Sequence, residues 1–208
     1  MAALSPFYVP WSAMAVRAVF LVGFMACGKT TVGRQLARRL NWDFVDLDAD
    51  IEAREKQSIA TIFRERGEYG KNGYRAAEEH ALRDLTESLT RDTVIALGGG
   101  TFYYPKNQEM LRSWPSVFLD APVEELWRRS QEDGGKRPLR KNNPSDFRDL
   151  YKQRLPHYRK ATVTIVTSGK DPSSLCAEIE SILQVRGGVE SSAATQVPPT
   201  HIETGESQ

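Results

Sequence analysis

Apolar residues in this chain gather in short β-branched runs that alternate with stretches of helical period. Residues 19–22 form an apolar run suited to a strand buried on both faces. A glycine-bearing loop follows, and 31–40 reads as a helix with Val32, Leu36 and Leu40 on one face. A second strand is expected over 43–46, and helical patterns fill 49–66 and 75–90. Residues 93–97 predict a third strand, ended abruptly by Gly98, Gly99 and Gly100. A helix over 105–112, a strand over 117–119 and a helix over 123–130 come next. A helix over 145–160, a strand over 163–166 and a last helix near 174–183 complete the pattern.

Strands alternating with helices predict an α/β fold in which helices cover both faces of a parallel sheet. Ligands in such sheets bind beyond the carboxyl ends of the strands. The glycine loop, the acids Asp46 and Asp48, and the triple glycine all fall at that edge. Residues 16–184 are expected to be the folded unit, with a flexible extension at 1–15. A tail rich in Gly, Ser, Thr and Pro follows at 185–208, without apolar period. Residues 131–144, polar and bearing Gly134, Gly135 and Pro138, read as a mobile lid. Met14, directly before the first strand, is a candidate start, and the residues ahead of it do not read as a secretory signal.

Composition narrows the function by exclusion. A net charge of +1 on 208 residues leaves no basic field for nucleic acid or an anionic membrane. No apolar stretch nears the ~18 residues of a spanning helix. The two cysteines, Cys27 and Cys176, lie in no metal-binding spacing and fit a reducing cytoplasm. Cys27 reads as a small loop residue rather than a reactive thiol.

The chemistry begins with Gly23-Phe24-Met25-Ala26-Cys27-Gly28-Lys29-Thr30, which fits GxxxxGK[ST] between a strand and a helix. Loop amides and the helix start point at phosphate oxygens, so Gly23, Ala26, Cys27, Gly28, Lys29, Thr30 and Thr31 are expected to hold ATP. Lys29 adds a positive charge at the β/γ-phosphates, and the Thr30 hydroxyl can ligate Mg2+. Asp46 and Asp48, two apart on what reads as extended chain, are expected to face one side. Such carboxylates can divide the labour, one holding a magnesium water and the other deprotonating an acceptor hydroxyl. Gly98–Gly100 lets a ligand approach the main chain, where amides can bind a hydroxyl or carboxylate. Arg137 in the lid could close over the transferring phosphate. Arg154, and Arg75 with Glu78 one turn later, could grip a carboxylate, although spacing alone does not bring them together.

In this arrangement the chain resembles the shikimate kinase family over 19–183. The phosphate loop, Asp46 with Asp48, and Gly98–Gly100 each match a family motif in order. So do Arg137-Pro138-Leu139 and the late Arg154, Pro156 and Tyr158, and the segment 58–63 before Gly67-Glu68 is also similar. The resemblance implies a three-layer sandwich whose five-stranded parallel sheet runs 2-3-1-4-5. It also implies ATP-dependent phosphorylation of shikimate in aromatic amino acid biosynthesis by a cytoplasmic monomer. Carried over, Asp46 holds Mg2+ through water, Asp48 is the base, and Lys29, Thr30 and Arg137 handle the phosphates. Arg75, Arg154 and Gly98, Gly99 and Gly100 hold shikimate, Glu78 supports them, and Arg129 lies near adenine.

Three departures stand out. The family's short GExxFR segment is about three residues longer here, running Gly67-Glu68-Tyr69-Gly70-Lys71-Asn72-Gly73-Tyr74-Arg75. Gly70–Gly73 is expected to be an exposed bulge. Ala26 replaces a common glycine, which suits it only if φ is negative there. Arg140 replaces a common apolar residue. A gluconate kinase would share the phosphate loop without needing Arg154 or the triple glycine, and a GTPase switch would carry an NKxD-type motif that this sequence lacks.

Overall fold

A computed structural model describes residues 17–132 and 143–184. The expected extension at 1–15, the tail at 185–208 and most of the expected lid, Arg137 and Arg140 included, lie outside the described residues. Five strands form one parallel sheet in the order β2-β3-β1-β4-β5. Strand β1 (Ala18–Val22) is its centre, with Leu21 opposite Ala96 of β3 (Thr93–Ala96) and Val117 of β4 (Ser116–Asp120). Strands β2 (Asp43–Asp46) and β5 (Val163–Val166) are the edges. Successive β1 side chains point to opposite faces, yet all five are fully buried. Both faces are therefore covered, as a continuous apolar run requires.

Helix α1 (Lys29–Leu40) buries Val32, Leu36 and Leu40 and packs on β3 and on α8 (Pro172–Leu183). The expected single helix over 49–66 is instead two, α2 (Leu47–Glu55) and α3 (Ile59–Arg66). The break has a local cause. Lys56 takes a left-handed conformation (φ 51°), and Ser58 Oγ caps α3 by accepting from the Thr61 amide at 3.1 Å.

Helix α4 (Tyr74–Ser88) packs on α2, α3 and α5 (Pro105–Met110). Between β3 and α5, a 3-10 turn (Thr101–Tyr103) follows the glycines. Helix α6 (Val123–Glu132) packs on α7 (Pro144–Tyr158), so the ends of the expected lid at 131–132 and 144 are helical.

Candidate active site

Two clefts open at the carboxyl edge of the sheet, and they share Lys29 and Thr30. The phosphate loop makes the shared wall. Gly23 (φ 149°) leaves β1 where a Cβ would lie 2.9 Å from the Leu119 carbonyl oxygen, so no larger residue fits. Gly28 (φ 95°) then turns the chain into α1, whose first internal bond runs from the Val32 amide to the Gly28 carbonyl at 2.9 Å. The amides of Lys29, Thr30 and Thr31 precede that bond, and no acidic residue stands in the first turn. Such a helix start is an anion site.

Lys29 is buried, and its Nζ donates to the Gly23 and Phe24 carbonyls at 2.9 and 3.0 Å. Cys27 Sγ lies 3.7 Å from the same nitrogen, and both cysteines are free and buried. Ala26 contradicts the expectation of negative φ: it sits at φ 62°, a region where a Cβ crowds the following carbonyl oxygen.

Thr30 Oγ1 donates to Asp46 Oδ2 at 2.7 Å, joining the first turn of α1 to the end of β2. Asp46 also caps α2, its Oδ1 accepting from the Asp48 and Ala49 amides at 3.2 and 3.4 Å. This corrects the extended reading of the acidic pair: Asp48 lies in the first helical turn, not on a strand. Both carboxylates still line the first cleft, because the cap turns the chain there. Burial, then the nearby Glu78 and Asp46 charges, push the Asp48 carboxyl up to about 6, against the pull of Lys29 and a hydrogen bond from Tyr74.

Helix α4 supplies the next layer. Glu78 is fully buried and accepts from Thr101 Oγ1 at 2.7 Å, Arg75 Nη1 at 2.8 Å and the Tyr74 hydroxyl at 3.3 Å. Arg75 also donates to Glu68 Oε1 from Nε (3.0 Å) and Nη2 (2.7 Å), and its guanidinium lies 4.9 and 5.0 Å from the Tyr74 and Tyr104 ring centres. Burial disfavours the Arg75 charge, but Glu78 and Glu68 more than offset it and hold the group charged. From α7, the buried Arg154 donates to the Gly99 carbonyl at 3.1 Å, 5.8 Å from the Phe24 ring centre, and the Tyr158 hydroxyl donates to the same carbonyl. The fold thus brings Arg75 and Arg154 into one cleft with Asp48, Gly99 and Gly100.

The second cleft runs from Ala26–Val32 to Arg129 on α6, which is paired with Glu125, and on to Thr167, Lys170 and Pro172 beyond β5. Sequence reasoning missed those last three, together with Tyr74 and Glu52 on the first cleft and Thr101, which serves Glu78. For Thr167 a signal existed, since it lies just past a strand end at the same sheet edge.

A model of the family described as shikimate kinase matches residues 25–184. The chain belongs to the shikimate kinase family. A shikimate kinase of Thermus thermophilus is 41% identical over 165 residues, covering 77% of this chain and 86% of the relative. That of Persephonella marina is 36% identical over 165 residues, covering 79% and 97%. The solved shikimate kinase from Acinetobacter baumannii in complex with shikimate is 38% identical, with a TM-score of 0.73 over 81% of this chain and 94% of that one. A sugar kinase from Janibacter sp. HTCC2649, at 20% identity and a TM-score of 0.55, shares the fold alone. The five-stranded order implied by the family resemblance is the order observed.

Proposed function

We propose that this protein transfers the γ-phosphoryl group of ATP to the 3-hydroxyl of shikimate. The observation that carries the reading is the meeting of two clefts at Lys29 and Thr30, one at the phosphate loop and one holding Asp48 with two arginines. Phosphoryl transfer demands mainly in-line positioning and charge stabilisation, which this layout supplies. Arg154, with Arg75, grips the acceptor carboxylate, and the main chain of Gly98–Gly100, of which Gly99 and Gly100 line the same cleft, meets the ring hydroxyls. Asp48 takes the proton of the attacking hydroxyl, a role that suits a carboxyl raised to about 6. Lys29 leaves the Gly23 and Phe24 carbonyls for the phosphate oxygens, and Arg129 borders adenine; Arg137, outside the described residues, is assigned to the phosphates by its family motif alone.

Thr30 and Asp46 fit Mg2+: their hydroxyl and carboxylate oxygens are hard donors already 2.7 Å apart. When bound there, the ion would supply positive charge that stabilises the transferring phosphate. Among the described residues no helix is long and apolar enough to cross a membrane. The free cysteines suit a reducing cytoplasm, and a net charge of +1 offers no field for nucleic acid or an anionic membrane.

The test is ADP release with shikimate, gluconate and nucleoside monophosphates assayed in parallel, with and without Mg2+. Turnover confined to shikimate and dependent on Mg2+ is expected. Preference for another acceptor would overturn the substrate assignment.

A further inference from the structure

The residue that reaches the Asp48 carboxylate from behind is Tyr74, whose hydroxyl lies 3.1 Å from Oδ1. It stands where the family segment GExxFR has phenylalanine, so the hydroxyl is a feature of this chain rather than of the motif. The ring is held firmly. It is 4% exposed, packs on Phe63 with ring centres 4.7 Å apart, and has the Arg75 guanidinium 4.9 Å from its own centre. Its backbone amide donates to the Gly67 carbonyl at 3.1 Å, fixing the start of α4. The hydroxyl therefore has little freedom to wander.

That hydroxyl has one proton and two carboxylate neighbours, Asp48 Oδ1 at 3.1 Å and Glu78 Oε1 at 3.3 Å. Glu78 is already served by Thr101 on Oε1 and by Arg75 on Oε2. Among the described residues, Tyr74 is the side-chain donor that reaches Asp48. A buried acceptor left without a donor costs more than one with a spare donor gains. The proton therefore goes to Asp48. Oδ1 is also hemmed in from the other side, since a Cβ built on Gly98 would lie 2.5 Å away. With Oδ1 engaged, Oδ2 is the oxygen left for the cleft.

We propose that Tyr74 is a positioning residue for phosphoryl transfer, its hydroxyl holding Asp48 Oδ1 so that Oδ2 is aimed at the acceptor hydroxyl. The inference rests on the shikimate kinase reading. It separates binding from chemistry: Tyr74 borders the cleft, but its hydroxyl is spent on Asp48, so its loss moves the transfer step and spares ground-state affinity.

Tyr74→Phe keeps the ring and the core. The expected result is a single-turnover rate lowered about tenfold, short of the ~10²–10⁴ contributed by a general base itself. KM for shikimate and ATP stays within about twofold, as loss of a transition-state interaction alone requires. The melting temperature moves by no more than a few degrees. An unchanged transfer rate would overturn the proposal while leaving the shikimate kinase reading intact. So would a raised shikimate KM at unchanged rate, which would make Tyr74 a binding residue, or a rate loss matched by a collapse in melting temperature. The unsubstituted protein is measured first. Its failure to turn over shikimate at all would sink the functional reading, and this inference with it.

Discussion

Gly98 and Asp48 are packed so closely that a Cβ on the glycine would fall 2.5 Å from Asp48 Oδ1 and 2.9 Å from Thr101 Oγ1. The triple glycine thus does more than expose amides. It makes room for the Asp48 carboxylate and for the Thr101 hydroxyl that serves Glu78. Gly98→Ala must displace Asp48, and a displacement near 1 Å can cost about 10² in rate. The expected outcome is a fall of that order in kcat/KM for shikimate with ATP affinity unchanged, read by steady-state kinetics and calorimetric nucleotide titration. Wild-type kinetics in Gly98→Ala would show that Asp48 need not occupy this position.

Burying the Asp48 carboxyl in this way carries a cost in stability. The Asp48 carboxyl is raised from 3.8 to about 6, chiefly by burial, so the folded state holds its proton more tightly than the unfolded chain does. Stability from this group is fully present at low pH and is lost as pH rises from about 4 through 6. At 1.36 kcal/mol per pKa unit the full loss is about 3 kcal/mol. Asparagine keeps an oxygen for the Tyr74 hydroxyl and carries no charge. Asp48→Asn should therefore melt higher than the unsubstituted protein at pH 8, with the advantage gone by pH 4. Its transfer rate should fall by about 10²–10⁴. Equal melting at both pH values would contradict the burial account.

The strands and most helices were legible because they rest on periodicity, which the chain displays openly, whereas the strand order came only from the family resemblance. Val32, Leu36 and Leu40 mark α1 from the sequence, and all three are buried in it. What was not legible depends on single side chains meeting backbone. The Ser58 cap that splits 49–66 and the Asp46 cap that turns Asp48 into a helix are local contacts, invisible to a periodic pattern. The same holds for the site. The phosphate loop and the acidic pair announce themselves by motif, whereas Tyr74 and Thr101 matter only because α4 and the 3-10 turn meet over Glu78.

Ala26 makes the opposite case, a residue plain in the sequence whose conformation the sequence misplaced. At φ 62° it occupies left-handed space inside the phosphate loop. An L-residue there costs roughly 1–2 kcal/mol, of which a glycine recovers part after its extra unfolded-state entropy. Ala26→Gly is expected to stabilise the protein by about 0.5–1 kcal/mol. Urea unfolding should show a higher midpoint at unchanged slope, which marks a stability change without a change in denatured-state compactness. A lower midpoint would mean that the Ala26 methyl group is stabilised by contacts that outweigh the strain.

The longer segment after Glu68 tests how separable an insertion is from the site beside it. Gly70, Lys71 and Asn72 are exposed, as the turn-forming composition predicted, whereas Gly73, expected in the same exposed bulge, is buried at the start of α4. The loop is pinched shut at its base: the Tyr74 amide donates to the Gly67 carbonyl at 3.1 Å, and the Arg75 amide to the Glu68 carbonyl at 3.0 Å. Those two bonds set the start of α4, and hence Arg75 and Glu78, independently of what lies between. Deleting Gly70, Lys71 and Asn72 leaves two residues between Glu68 and Tyr74, the family's own spacing. Loop closure changes by only about 0.6 kcal/mol per doubling of length, so the fold should survive. KM for shikimate should stay within about threefold, because the forked contacts of Arg75 to Glu68 and Glu78 are kept. Arg75→Lys, which holds the charge but loses that fork, should raise it about tenfold or more. The comparison is a pair of shikimate titrations at saturating ATP. If the deletion raises KM steeply while Arg75→Lys leaves it alone, the insertion itself forms this side of the pocket, and Lys71 becomes the residue to substitute next.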